Sequence, residues 1–203
     1  MQILYRFAGS IQQYLEKISD PDLCRPDHCP LCHAKHPLFA RGFYRRSLVD
    51  LEFDDLIPVR RYLCGICRRT VSLLPEFALP YLRFSISIIS LFLVARLLDG
   101  RTLKASAAAA FQPDMPYQRG QFWIRRFRMQ AVALCGALVA LTAAITAASF
   151  TSRALHMLQS IGWIAAHRFL LGQLRSHLLG WPRFLAPVGL PVKLRPVFVQ
   201  PDT

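Results

Sequence analysis

Cys29-Pro30-Leu31-Cys32 and Arg61-Tyr62-Leu63-Cys64-Gly65-Ile66-Cys67 decide how this chain folds. A Cys-x-x-Cys spacing curls the backbone into a tight turn that aims two sulfurs at one point. Two such turns facing each other across a hairpin supply the four thiolates of a tetrahedral zinc site. Gly65 relieves the second turn. The expected ligands are therefore Cys29, Cys32, Cys64 and Cys67, and the expected cofactor is Zn2+. Four thiolates leave no open position, so the metal is read as structural. The 31 residues between the pairs exceed the usual spacer, and a long hairpin absorbs the difference. Cys24, His28, His33 and His36 crowd the first pair and stand as alternative ligands.

The intervening sequence reads as that hairpin. Leu38 to Arg45 and Leu56 to Leu63 are rich in aromatic and β-branched residues, which predicts two strands joined by the acidic stretch Asp50, Glu52, Asp54 and Asp55. A third strand is expected over Thr70 to Leu74. Arg41, Arg45, Arg46, Arg60, Arg61, Arg68 and Arg69 decorate the hairpin, either as phosphate contacts or as a solvated surface paired with the acidic loop.

Composition narrows the class. The 203-residue chain is 53% hydrophobic, enough to bury a core, and its six cysteines follow a metal-site pattern and not that of a secreted disulfide scaffold. A reducing, cytoplasmic location is expected. The formal charge of +13 points to a polyanionic partner. That charge is uneven: up to Phe77 there are 11 Lys/Arg against 9 Asp/Glu, and from Ala78 onward 14 against 3. With no glutamate after Glu76, the basic half cannot easily assemble the carboxylate set of a two-metal nuclease. No nucleophile–base pair or phosphate loop is present either, so no enzymatic activity is expected.

Residues 1–22 read as an amphipathic packing helix, with Ile3, Leu4, Phe7, Ile11, Leu15 and Ile18 at helical steps and polar residues interrupting any signal-peptide core. Beyond Pro75 and Pro80 the pattern turns helical. Tyr81 to Leu98 predicts a buried helix stopped by Asp99-Gly100, and Thr102 caps a second helix through about Phe111. Asp114 is a candidate cap for a third helix over Tyr117 to Met129. Its helical steps place Trp123, Ile124, Phe127 and Ala131 on a core face, and Gln118, Gln121, Phe122 and Arg125 on another. The second face suits base edges in a major groove, with Arg119, Arg126 and Arg128 flanking it for phosphates. A short helix, a turn and this basic helix read as helix-turn-helix, and the expected partner is double-stranded DNA.

At this point the chain resembles a known group. Arg61-Tyr62-Leu63-Cys64-Gly65-Ile66-Cys67-Arg68-Arg69-Thr70-Val71-Ser72-Leu73-Leu74-Pro75, followed by Pro80-Tyr81, is similar to the zinc-binding segment of bacterial insertion-sequence transposases and their small accessory proteins. In those families a helix-turn-helix with a Trp-x-x-Arg-Phe-like core follows, matched here by Trp123-Ile124-Arg125-Arg126-Phe127. The resemblance covers about residues 24–130. It implies zinc at the four cysteines and recognition of the element's DNA by the third helix. The acidic catalytic domain of full transposases has no counterpart here, which implies an accessory or detached DNA-binding protein, with a separate transposase as a further partner.

Residues 129–152 carry no charge, and 131–148 is long and apolar enough to raise a competing reading, a small membrane protein with a cytoplasmic zinc ribbon. Its alanine dominance and Thr142 and Thr146 favour a packing or homodimerising helix instead. A third reading is an adaptor whose ribbon docks on a transposase. Leu155 to Leu179 reads as a continuing helix, ended by Trp181-Pro182. His156, His167 and His177 lack the spacing of helical metal ligands and are expected to pack or face solvent, with Cys135 a buried thiol. The proline-spaced tail reads as an extended arm in which Lys193 and Arg195 add phosphate contacts. The expected fold is α+β, mostly α. Its parts are the helix at 1–22, a zinc ribbon at 23–77, a helix-turn-helix at 78–130, an Ala-rich helical region at 131–182 and a tail at 183–203.

Overall fold

Residues Gln2–Tyr5 form a strand, β1, where a helix was expected from the first residues onward. The computed structural model describes residues 2–20, 22, 24–143 and 145–180, so the expected tail lies outside the described residues. The helix begins only at α1 (Ile11–Lys17), where Ser10 and Gln13 close a capping box that satisfies two backbone donors at its start. The spacing of Ile3, Leu4 and Phe7 fits a helix locally. What overrides it is a partner distant in sequence, since β1 pairs in parallel with β4 (Thr70–Pro75), Gln2 against Ser72 and Tyr5 against Pro75.

The hairpin is longer than its apolar runs suggest. Its strands β2 (Phe39–Asp50) and β3 (Phe53–Leu63) pair antiparallel from Phe39↔Leu63 to Asp50↔Phe53, with a bulge between Ala40 and Phe43. The sheet order is β1-β4-β3-β2. Because β4 pairs with β3 only over Arg61–Leu63, Pro58 has no β4 neighbour to lose a ladder bond to. Instead Tyr14 of α1 donates its hydroxyl to the Pro58 carbonyl at 2.7 Å. Tyr14, Ile18, Leu48, Ile57, Val59, Leu74 and Phe77 make one apolar cluster, and a smaller one forms around Leu38, Tyr62, Val71 and Leu73 beside the cysteines.

The acidic tip of the hairpin, expected as a loop, belongs mostly to the strands and is docked on the helical half. Asp50 accepts from the hydroxyl of Ser85, which also caps α2 (Ile86–Leu97), and Asp54 pairs with Arg83. Carboxylates placed at the start of a helix are favoured by its dipole. Backbone bonds Val49 N to Arg83 O and Ser85 N to Val49 O, both 2.9 Å, complete the seam. Arg46 is turned inward as well, its guanidinium donating to the carbonyls of Leu79 and Leu82.

Helix α2 is apolar nearly all round because it is the centre of the helical half, touching β2 and four other helices. Those are α3 (Leu103–Ala109), α4 (Tyr117–Leu138), α5 (Phe150–Ile161) and α6 (Trp163–Leu174). Thr102 caps α3 as expected, accepting from the Ala105 amide. Asp114 does not cap α4; Pro116 occupies that position without a side-chain bond. Trp123 is fully buried, with Phe84 and Phe92 meeting it edge-on at 5.0 and 5.3 Å. Gly120 lets α4 approach this cluster, since a β-carbon there would stand 2.7 Å from the Phe92 ring.

Two helical expectations change. The uncharged stretch is not one rod over 131–148: α4 runs unbroken through Met129 to Leu138, turn residues follow through Leu141, and α5 begins only at Phe150. No helix among the described residues is long and apolar enough to cross a membrane. The expected helix from Leu155 onward is broken at Gly162, whose φ of 89° suits glycine, and α6 ends at Leu174, before Trp181-Pro182.

Helix α6 is tied back by charge to the segment that follows β4. Arg168 of α6 donates twice to one carboxylate oxygen of buried Glu76, at 2.7 and 2.9 Å, while the other oxygen accepts from the Phe7 amide. His167 and His177 are buried, as packing histidines should be, and His156 is exposed. Burial pushes His167 down to about 4; burial, His167 and Arg126 push His177 down to about 3. Both rings are neutral in the fold, whereas unfolded histidine takes up a proton near pH 6.5. Stability is therefore lost as pH falls below 6.5, by up to about 1.4 kcal/mol per pH unit for each ring, until the folded values are reached. Urea unfolding at pH 7.5 and pH 5 is expected to show a lower midpoint in acid. The drop should shrink in His177→Leu, and an equal drop in both proteins would refute this origin.

Candidate metal centre and basic helix

The two cysteine turns are copies of one backbone design. In the first, His33 N donates to Cys29 O at 2.8 Å and Cys29 N to Ala34 O at 3.0 Å. In the second, Arg68 N donates to Cys64 O and Cys64 N to Arg69 O, both at 3.0 Å. Each turn closes through a left-handed residue, His33 with φ 59° and Arg68 with φ 57°. Amides also point at the sulfurs, Leu31 N to Cys29 Sγ and Cys67 N to Cys64 Sγ at 3.4 Å. The hairpin register brings the turns together, because Leu63, immediately before Cys64, pairs with both Phe39 and Thr70.

The four expected ligand sulfurs, those of Cys29, Cys32, Cys64 and Cys67, lie within 4.8 Å of one another. Cys29–Cys67 and Cys32–Cys64 are separated by 3.8 and 3.7 Å. Metal–sulfur bonds of about 2.3 Å at tetrahedral angles put sulfurs roughly 3.8 Å apart, so this cage has the size a tetrahedral metal ion requires. Burial alone would raise the Cys64 thiol, but the Cys67 amide, His36 and the Ile66 amide bring it down to about 6. The Arg69 amide favours the Cys67 thiolate, yet burial and the neighbouring sulfurs push that thiol up to about 11. One thiolate opposes the next, and a divalent cation at the centre favours all four.

Of the alternative ligands, none joins the cage. Cys24 turns to the Tyr62 hydroxyl at 3.6 Å, His28 pairs with Asp27, and His33 is exposed. His36 has a role that its position in the sequence did not disclose. Its Nε2 lies 3.2 Å from Cys64 Sγ while Nδ1 meets the Pro37 carbonyl at 2.9 Å, so it orients a metal-site sulfur without being part of the sulfur cage. The contact with Cys64 raises the His36 ring above the ordinary imidazole range.

On α4, Trp123, Ile124, Phe127 and Ala131 are buried. Gln118, Arg119, Gln121, Arg125 and Arg128 are exposed, with Gln121 steadied by a 2.9 Å bond to the Tyr117 hydroxyl. Two expected contact residues are placed differently. Arg126 turns inward and donates Nε to Leu179 O at 3.0 Å, which uses the guanidinium to hold the segment after α6 against α4. Phe122 is half-buried against the helical core. The turn between α3 and α4 spans residues 110–116 and contains Phe111 in the left-handed region.

The family described as "Domain of unknown function (DUF6431)" matches residues 29–109, a span that opens at the first cysteine of the cage and closes at the end of α3. No curated protein and no solved structure matches the chain.

Proposed function

We propose that this chain is a zinc-stabilised DNA-binding protein that serves a mobile element as a transposition accessory or regulator, in the cytoplasm. Zinc is the metal that suits a closed cage of four thiolates, where it supplies folding energy and no chemistry. The observation that carries the DNA reading is the division of α4. One side is packed around Trp123 and held rigid; the other offers Gln118, Gln121 and Arg125 in a row, with Arg119 and Arg128 beside them. Planar amides and guanidinium groups on one rigid helix face are what reads base edges in a major groove. The α3–turn–α4 arrangement supports a helix-turn-helix reading, and the resemblance of residues 61–75 and 123–127 to insertion-sequence proteins supports the mobile-element setting. On the far half of α4, Met129, Val132 and Val139 are exposed and uncharged, and Gly136 has open space above it. That stripe favours pairing of two copies, each presenting one α4 to a repeated site.

The test is salt-dependent binding of zinc-loaded protein to random duplex DNA and to duplexes selected from a random pool. Arg125→Ala is expected to cost about 1–3 kcal/mol on the selected sequence and much less on random DNA. Two chains per selected duplex are expected. Folded, zinc-loaded protein that binds neither duplex would defeat the reading and leave the adaptor alternative.

A further inference from the structure

The hairpin is divided by charge along its length. Residues 29–48 and 56–75 carry one lysine and seven arginines and neither aspartate nor glutamate, whereas Asp50, Glu52, Asp54 and Asp55 are gathered at the opposite tip. The acidic tip is engaged with Ser85 and Arg83. Of the arginines in these acid-free stretches, two serve the fold: Arg46 binds the Leu79 and Leu82 carbonyls, and Arg60 the Ser19 carbonyl. Arg41, Arg45, Arg68 and Arg69 are exposed, and none of them makes an ion pair among the described residues.

Two aromatic rings stand among those cations. Phe39 is 61% exposed and lies over Gly65 of the second cysteine turn, where a β-carbon would come within 2.9 Å of it. Phe43 is 36% exposed and has the Arg60 guanidinium 4.3 Å from its ring centre, which fixes one face of the ring. Both belong to β2, one of the two edge strands of the sheet; the bulge between Ala40 and Phe43 sends Phe39 to the face of Leu63 and Phe43 to that of Arg60, on either side of this edge. Burying these rings would have been the ordinary outcome for phenylalanine. Exposed rings on an extended, acid-free basic edge form the combination on which unpaired bases stack while arginines hold the phosphates.

We infer that the cysteine end of the hairpin is a second nucleic-acid surface, specific for single strands: Phe39 and Phe43 stack bases, and Arg41, Arg45, Arg68 and Arg69 bind the backbone. It is separate from the duplex-reading face of α4 and does not depend on it. The surface requires the metal cage, because Phe39 rests on one cysteine turn and Arg68 and Arg69 extend from it.

Fluorescence anisotropy with labelled oligothymidylate tests the proposal on the full, metal-loaded chain. Phe43→Leu keeps the apolar bulk and removes the π face, and it is expected to weaken oligothymidylate binding on the order of tenfold. Arg41→Ala/Arg45→Ala/Arg69→Ala is expected to lower the salt slope for the single strand by about 2, at roughly 0.7 per phosphate contact. Arg125→Ala should leave oligothymidylate binding unchanged, so failure of the α4 reading and failure of this one are read separately. Metal content and melting temperature establish that each variant is folded. Oligothymidylate binding that survives both the Phe43 and the triple-arginine changes overturns the proposal. So does an arginine effect that appears equally on duplex DNA or anionic vesicles with no effect of Phe43→Leu, which would make the surface a general polyanion patch.

Discussion

Cys64→Ser, or removal of zinc by a strong chelator, is expected to unfold the cysteine end of the sheet and to lower the melting temperature by well over ten degrees. Little apolar material holds that end together. Only Cys29, Leu38, Tyr62, Cys64, Val71 and Leu73 are buried in that cluster, and two of the six are themselves cage residues. A core so small does not hold two turns and a long hairpin end together by burial alone. Structural zinc in small domains contributes on the order of 10 kcal/mol of binding energy that is also folding energy. Replacing one thiolate removes a bond to the metal, so affinity should fall by more than the roughly 10–100-fold typical of losing an outer hydrogen-bond partner. His36→Ala serves as that milder comparison, since its ring touches Cys64 Sγ at 3.2 Å without joining the cage. Zinc titration against a competing chelator, with thermal melting of each protein, measures both effects. Equal melting of chelated and loaded protein would contradict this account.

Trp123→Ala is expected to destabilise the helical half by about 3–5 kcal/mol, the cost of emptying a large aromatic site that cannot collapse. Trp123 is enclosed by Phe84 from the segment before α2 and by Phe92 within α2, and its own helix is pressed close through Gly120. The cavity would therefore sit where the sheet seam, α2 and α4 converge. The change should also degrade any DNA binding by α4, because the exposed face is positioned only through its buried one. Chemical denaturation gives the magnitude; a loss below about 1 kcal/mol would mean the site is far less rigid than these contacts imply.

The cysteine cage was legible because its information is local. Two residues between paired cysteines fix each turn, and the strands either side of it carry β-branched and aromatic residues with hydrophobic partners. The core face of α4 was legible for the same reason, as Trp123, Ile124, Phe127 and Ala131 fall at helical steps. What the sequence hid depends on partners far along the chain. Gln2–Tyr5 has helical spacing, and only its pairing with residues near Ser72 makes it a strand. Arg126 is indistinguishable in sequence from Arg125 and Arg128, but the end of the described chain folds back to present the Leu179 carbonyl to it. The acids at the hairpin tip suggested a loop, whereas Asp50 and Asp54 find partners in Ser85 and Arg83 of the helical half, and Glu52 and Asp55 stay exposed. His36 was visible as a metal-type residue, yet only the approach of the second turn decides that it touches a sulfur from outside the cage.

In the proposed state four thiolates hold one zinc ion, and this ion fastens the hairpin. Native mass spectrometry of the full chain, before and after chelation, tests it most directly. One zinc per chain is expected, with all four cage cysteines shielded from alkylation until the metal is removed, while Cys135, in the helical half, behaves the same in both states. A folded chain that carries no zinc, with Cys32 and Cys64 alkylated as readily as before chelation, would contradict it.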